Sequence, residues 1–194
     1  MNTILSRRHW IFDMDGTLTV AVHDFDAIRR ELDIQSGVPI LEALEAMPVD
    51  EAAIKREKLD AIELEIAAES TPMPGAADLL NALSERDCRL GILTRNTEDS
   101  ARVTLRACGF DHHFDTQDIL HRDSCAPKPE PDGVIKLLTQ WNTRGDDALI
   151  LGDYLFDLQA GRRAGVASIH LDTSGAFPWP HEADLCVQAL EQLI

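Results

Sequence analysis

The chain has 194 residues, 44% of them hydrophobic, which is enough for one α/β domain with a small appended module, while two full-sized domains would be a tight fit. Acidic residues number 34 against 18 basic ones, and the net charge of −16 repels nucleic-acid phosphates and anionic lipid surfaces. No nucleic-acid or membrane partner is therefore expected. The four cysteines, Cys88, Cys108, Cys125 and Cys186, are scattered without metal-like spacing and read as reduced thiols. The opening residues carry no long apolar core, so a cytoplasmic protein is expected.

Trp10-Ile11-Phe12 reads as a short buried strand that stops abruptly at Asp13-Met14-Asp15-Gly16-Thr17. From Asp24 to about Glu69 the pattern is helical throughout. Phe25, Ile28 and Leu32 fall at helical spacing, Ser36-Gly37 marks a turn, and Pro39 opens a second helix over Ile40 to Met47. Pro48 ends it, and Asp50 is expected to cap a long third helix with Leu59, Ile62 and Ile66 on one face.

Strands and helices alternate from Pro74 onward. A helix through Leu79 and Leu83 precedes a strand at Leu90 to Leu93 that ends at Thr94. A helix from Thr97 to Ala107 is stopped by Gly109. A short strand is expected between Phe114 and Leu120, and a helix from Pro131 to Trp141. The strand Ala148 to Leu151 ends at Gly152-Asp153. A helix over Leu155 to Ala164 follows, stopped by Gly165, then a strand over Val166 to Leu171 and one more near Asp184 to Val187. This order predicts an α/β fold: a Rossmann-like parallel sheet with helices on both faces, plus a small all-helical insert after the first strand. The expected division is residues 1–19 and 72–194 for the core and 20–71 for the insert.

Polar clusters at Asp13, Thr94 and Asp153 each sit where an apolar strand stops. Function in open parallel sheets lies at those carboxyl ends. Asp13 and Asp15 repel each other, and packing gives no reason for the pair. A hard cation such as Mg²⁺ would give one, although a bare Asp-x-Asp is more often a turn. Thr94 can donate to a phosphoryl oxygen, and Arg95 and Asn96 adjoin it. Lys128 stands in Ala126-Pro127-Lys128-Pro129-Glu130-Pro131, where prolines restrict its placement and its charge could neutralise a transferring phosphoryl group. Asp153 and Asp157 are spaced to share one side of a helix's first turn.

Together these motifs resemble the haloacid dehalogenase superfamily, in the helical-cap branch of phosphoglycolate phosphatases and β-phosphoglucomutases. The run Asp13 to Thr17 stands as its DxDGT, Thr94 as its second motif, Lys128 to Pro131 as its third and Gly152 to Asp157 as its GDxxxD. The resemblance implies a Mg²⁺-dependent phosphohydrolase of a small phosphorylated metabolite. Asp13 would attack phosphorus to form an aspartyl-phosphate, and Asp15 would protonate the leaving oxygen and then activate water. Mg²⁺ would be held by the Asp13 carboxylate, the Asp15 backbone carbonyl and Asp153, with Asp157 behind them. Thr94 and Lys128, joined by Arg95 and Asn96, would hold the phosphate.

The insert would act as a cap, with His23, Asp24, Arg29 and Arg30 as candidate substrate contacts and a monomer or weak homodimer as the working state. A phosphomutase of the same family fits all four motifs but must keep water from the aspartyl-phosphate, which a small cap makes harder. A receiver-like signalling module uses similar residues in a different order.

Overall fold

A computed structural model of the chain describes residues 3–22 and 24–194. His23, expected as a substrate contact, lies outside them. The first strand, β1 (His9–Phe12), alternates its side chains between two cores, because successive strand residues point to opposite faces. Trp10 and Phe12 join one core with Leu90, Ile92, Leu149 and Ile169. Ile11 joins the other with Leu93, Val134, Leu137 and Ile150. Both sheet faces are covered, as the near-continuous apolar runs require.

Among the described residues six parallel strands follow the order β3-β2-β1-β4-β5-β6. They are β2 (Arg89–Leu93), β3 (Ile119–Leu120), β4 (Ala148–Gly152), β5 (Ala167–Leu171) and β6 (Leu185–Val187) with β1. The order turns back on itself at β1, which pairs with both β2 and β4. That switch point opens a crevice at the carboxyl ends, and Asp13, Thr94 and Asp153 stand at its rim.

The insert forms helices α1 (Phe25–Glu31), α2 (Ile40–Glu45) and α3 (Val49–Ala68). They share a separate apolar cluster of Ile28, Leu32, Ile34, Leu41, Leu44 and Leu59, against which Ile62 and Ile66 pack. Asp24 caps α1 by accepting the Ala27 N–H at 2.8 Å. Asp50 is not the cap of α3. Pro48 holds that position with extended backbone, and Asp50 falls in the first turn, where its charge still suits the helix dipole. The two ends of the insert lie side by side: Thr19 bridges Pro72, and the Val20 N–H donates to the Thr71 carbonyl at 3.0 Å.

The remaining helices are α4 (Ala76–Glu85), α5 (Glu98–Cys108), α6 (Asp132–Gln140) and α7 (Leu155–Ala164). Among the described residues no helix is long and apolar enough to cross a membrane.

Candidate active site

The loop after β1 is built to turn an acid pair outward from a buried strand. The Asp13 N–H is tied to the Leu151 carbonyl, and the N–H groups of Thr17, Leu18 and Thr19 all converge on the Met14 carbonyl. Gly16 lies at φ +81°, and a Cβ there would sit 2.3 Å from Asp153 Oδ2. The glycine is thus needed twice, for the backbone conformation and for the approach of the neighbouring acid. Gly152 is needed beside Asp157 for close approach alone: a Cβ there would lie 2.3 Å from Asp157 Cβ.

Carboxylate oxygens of Asp13, Asp153 and Asp157 all lie within 4.8 Å of one another. Lys128 is buried against them, its ammonium donating to Asp13 Oδ1 at 2.5 Å and to Asp157 Oδ1 at 2.6 Å. Asp157 Oδ2 accepts the Tyr154 N–H at 3.1 Å, so both oxygens of Asp157 are engaged by the protein. Three acids against one buried lysine leave negative charge in excess, and only hard oxygen donors face it. That donor set fits a small divalent cation such as Mg²⁺.

The electrostatics agree. Burial, reinforced by the charges of Asp13 and Asp157, pushes Asp153 up to about 8. Burial and the Asp13 charge also hold Asp157 above the usual carboxylate range. Burial alone would lower Lys128, but the Asp13 and Asp157 charges outweigh it and hold the lysine above its ordinary value.

A carboxyl whose folded pKa is raised keeps its proton where the unfolded chain has lost it. The folded state then binds more protons, and stability falls as pH rises. Metal-free protein is therefore expected to lose melting temperature as pH rises from about 4 to about 8, the span between the ordinary 3.8 of Asp153 and its raised value. Mg²⁺ is expected to flatten that slope, because it stabilises the ionised acids. Melting curves with chelator and with Mg²⁺ across this range check both expectations.

Thr94, 4% exposed, ends β2, and its Oγ1 accepts the Asn96 N–H at 3.1 Å. The structure gives Arg95 and Asn96 partners other than a phosphate. Arg95 Nη2 donates to both oxygens of Glu42 in α2 at 2.8 Å, and its guanidinium lies 5.1 Å from the Phe156 ring centroid. The Asn96 amide donates to Asp15 Oδ2 at 2.7 Å. Asp24 and Arg30 are exposed and stand outside the cavity, whereas Arg29 lines it.

That cavity, about 340 Å³, is walled by both sheet-end loops and insert. Asp13, Asp15, Thr94, Lys128 and Asp153 line it from the core; Phe25, Ile40, Leu41 and Leu59 line it from the insert. The sequence reading missed Glu42, Glu63 and Arg122. Arg122 is buried between insert and core: its Nη1 donates to Asp60 at 3.1 Å, its Nη2 donates to Glu63, and its Nε donates to the Arg95 carbonyl at 2.9 Å. Two acids three residues apart on one helix repel each other, and that was the available signal that a distant cation must meet them.

A family model described as haloacid dehalogenase-like hydrolase matches residues 10–171, which include Asp13, Thr94 and Asp153 at the strand ends. The chain belongs to the haloacid dehalogenase-like hydrolases. Among the relatives of this hydrolase is a haloacid dehalogenase-like hydrolase domain-containing protein of Arabidopsis thaliana, 29% identical, with 86% of this chain and 71% of that protein covered. A phosphoglycolate phosphatase of Rhodospirillum rubrum is also 29% identical, over 80% of this chain and 76% of the relative. The fold of this hydrolase is shared with a putative haloacid dehalogenase-like hydrolase from Bacteroides fragilis, at a TM-score of 0.80 and 21% identity, covering 97% and 100% of the two chains.

The family's glycine after the acid pair acquires a physical reason here. Gly16→Ala is expected to push Asp153 aside and to raise the Mg²⁺ concentration for half-maximal activity by about 10-fold or more. A Mg²⁺ titration of turnover measures it.

Proposed function

We propose that this hydrolase cleaves phosphate monoesters of small metabolites through an aspartyl-phosphate on Asp13, with Mg²⁺ as cofactor. The observation that carries the reading is the buried Lys128 ammonium, held by Asp13 and Asp157 beside Asp153 at the end of a cavity that also holds Asp15 and Thr94. Asp13 is the nucleophile and Asp15 the proton donor to the leaving oxygen, later the base for water. Asn96 fixes Asp15 by its 2.7 Å hydrogen bond, which leaves the carboxyl's orientation defined. Thr94 and Lys128 receive the phosphoryl oxygens.

The Asp13 carboxylate, the Asp15 backbone carbonyl and Asp153 would hold the metal, with Asp157 behind because its oxygens are engaged by Lys128 and Tyr154. A bound Mg²⁺ supplies positive charge that lets a carboxylate approach an anionic phosphate. Residues 20–71 serve as a cap over the core of 1–19 and 72–194, excluding water and touching the leaving group.

Purified protein should release phosphate from 4-nitrophenyl phosphate with Mg²⁺ and lose that activity with chelator. Asp153→Ala should raise the Mg²⁺ requirement more than Asp157→Ala. Metal-independent release would overturn the mechanism, and the reverse ranking would exchange the places of the two acids.

A further inference from the structure

The end of the cavity away from the phosphate has a charge balance that selects among leaving groups. The insert lines it with the apolar Phe25, Ile40, Leu41 and Leu59. Among the described residues that line it, the basic side chains are Arg29, Arg95 and Lys128. Lys128 belongs to the phosphate end. Arg95 is matched by Glu42, on which it places two 2.8 Å hydrogen bonds. Arg29 is matched by Asp26 at 2.9 Å, and its Nε donates to the Val38 carbonyl at 2.8 Å. Neither arginine carries charge in excess of its carboxylate.

Glu63 tips the balance further. It lines the cavity from α3, and its side chain is only 11% exposed. Its partner Arg122 is shared with Asp60, so with both acids ionised this trio keeps one net negative. Burial pushes Glu63 up to about 7 in spite of Arg122, with Asp60 and Asp15 adding to the rise. Glu63 and Asp15, the residue assigned to protonate the leaving oxygen, line the same cavity, so a leaving group that fills it meets the Glu63 carboxyl. A buried carboxylate short of positive charge attracts a donor and repels an anion.

We infer that this hydrolase acts on esters whose leaving group is an apolar-bodied alcohol ending in a cationic or hydrogen-bond-donating group, read by Glu63, and that it rejects phosphate esters of hydroxy acids. The inference rests on the phosphatase reading above. 2-Phosphoglycolate, the compound in the name of the Rhodospirillum rubrum relative, falls in the rejected class.

The test compares kcat/KM with Mg²⁺ for benzyl phosphate, 4-(aminomethyl)benzyl phosphate and 4-carboxybenzyl phosphate, whose leaving alcohols are of similar acidity. The amine ester should exceed the acid ester by about 100-fold or more, an amount that a buried charge can supply. Glu63→Gln should cut that ratio to below about 10, and Glu63→Asp, which keeps the charge, should retain most of it. A wild-type ratio near one, or a preference for the acid ester, overturns the inference without any variant. A ratio unchanged in Glu63→Gln overturns the role of Glu63. Turnover with the wrong preference leaves the phosphatase reading standing, whereas no phosphate release from any of the three esters removes both.

Discussion

Asp13→Asn is expected to abolish turnover, by at least about 10⁴-fold, while the protein still folds. An amide cannot attack phosphorus, so the proposed route through an aspartyl-phosphate is closed to the variant. Lys128 loses one carboxylate but keeps Asp157 Oδ1 at 2.6 Å, so its buried ammonium stays paired. Asp13 projects from the end of β1 and its backbone N–H, not its side chain, is tied to β4. The substitution also removes one of the charges that, after burial, raise Asp153 and Asp157. Those two carboxyls should therefore ionise more readily, and the metal-free variant should lose less stability with rising pH than the parent. Phosphate release and melting curves measured on the same preparation separate the two effects. Residual Mg²⁺-dependent turnover above a trace would remove Asp13 as nucleophile.

Lys128→Met is expected to damage both activity and stability. The methionine approximates the lysine stem but leaves Asp13, Asp153 and Asp157 facing one another without their buried cation. Breaking a buried ion pair by removing one partner typically costs about 3–5 kcal/mol, because the other charge stays buried and unpaired. In a chain of this size that corresponds to a fall in melting temperature of roughly 6–20 °C. Mg²⁺ should recover part of the loss by mass action, since the acids gain a cation. Turnover should remain down by about 10³-fold even at saturating Mg²⁺, because the transferring phosphoryl group loses a positive neighbour. Calorimetry with and without Mg²⁺, beside steady-state kinetics, reads all three. A variant as stable as the parent without metal would show that the lysine is not what holds the acids together.

Much of this fold is legible because each strand announces its own end. Apolar runs stop at Asp13, Thr94 and Asp153, and Gly109 and Gly165 close their helices in the left-handed conformation that glycine favours. The acid cluster is legible for the same reason: its members lie on short motifs whose spacing is local. What sequence could not supply was pairing across distance. Arg95 follows Thr94 directly and reads as a phosphate ligand, but its partner is Glu42 on a helix far away in sequence. Asn96 reads likewise and instead meets Asp15. The neighbouring acids Asp60 and Glu63 call for a cation, but nothing local names Arg122, whose contact exists because α3 packs over the loop after β3. Asp50 was misjudged on a narrower point. Cap preference favours an aspartate, but the preceding Pro48 already has the extended backbone that ends one helix and begins the next.

The adjacent joints at Thr19 and Pro72 bear on how the chain reaches its fold. In the sheet β1 must find β2, pairing His9 with Arg89 across the whole helical insert. Closing so long a loop is slow while the intervening chain is unstructured. The insert has its own apolar cluster and local contacts, so its collapse would bring Thr19 to Pro72 and reduce the remaining loop to residues 13–18 on one side and 73–88, which include α4, on the other. The helices would then act early as an internal splint for the central strand pair, and weakening their cluster, as with Leu44→Ala, should slow the appearance of the sheet as well as loosen the helices.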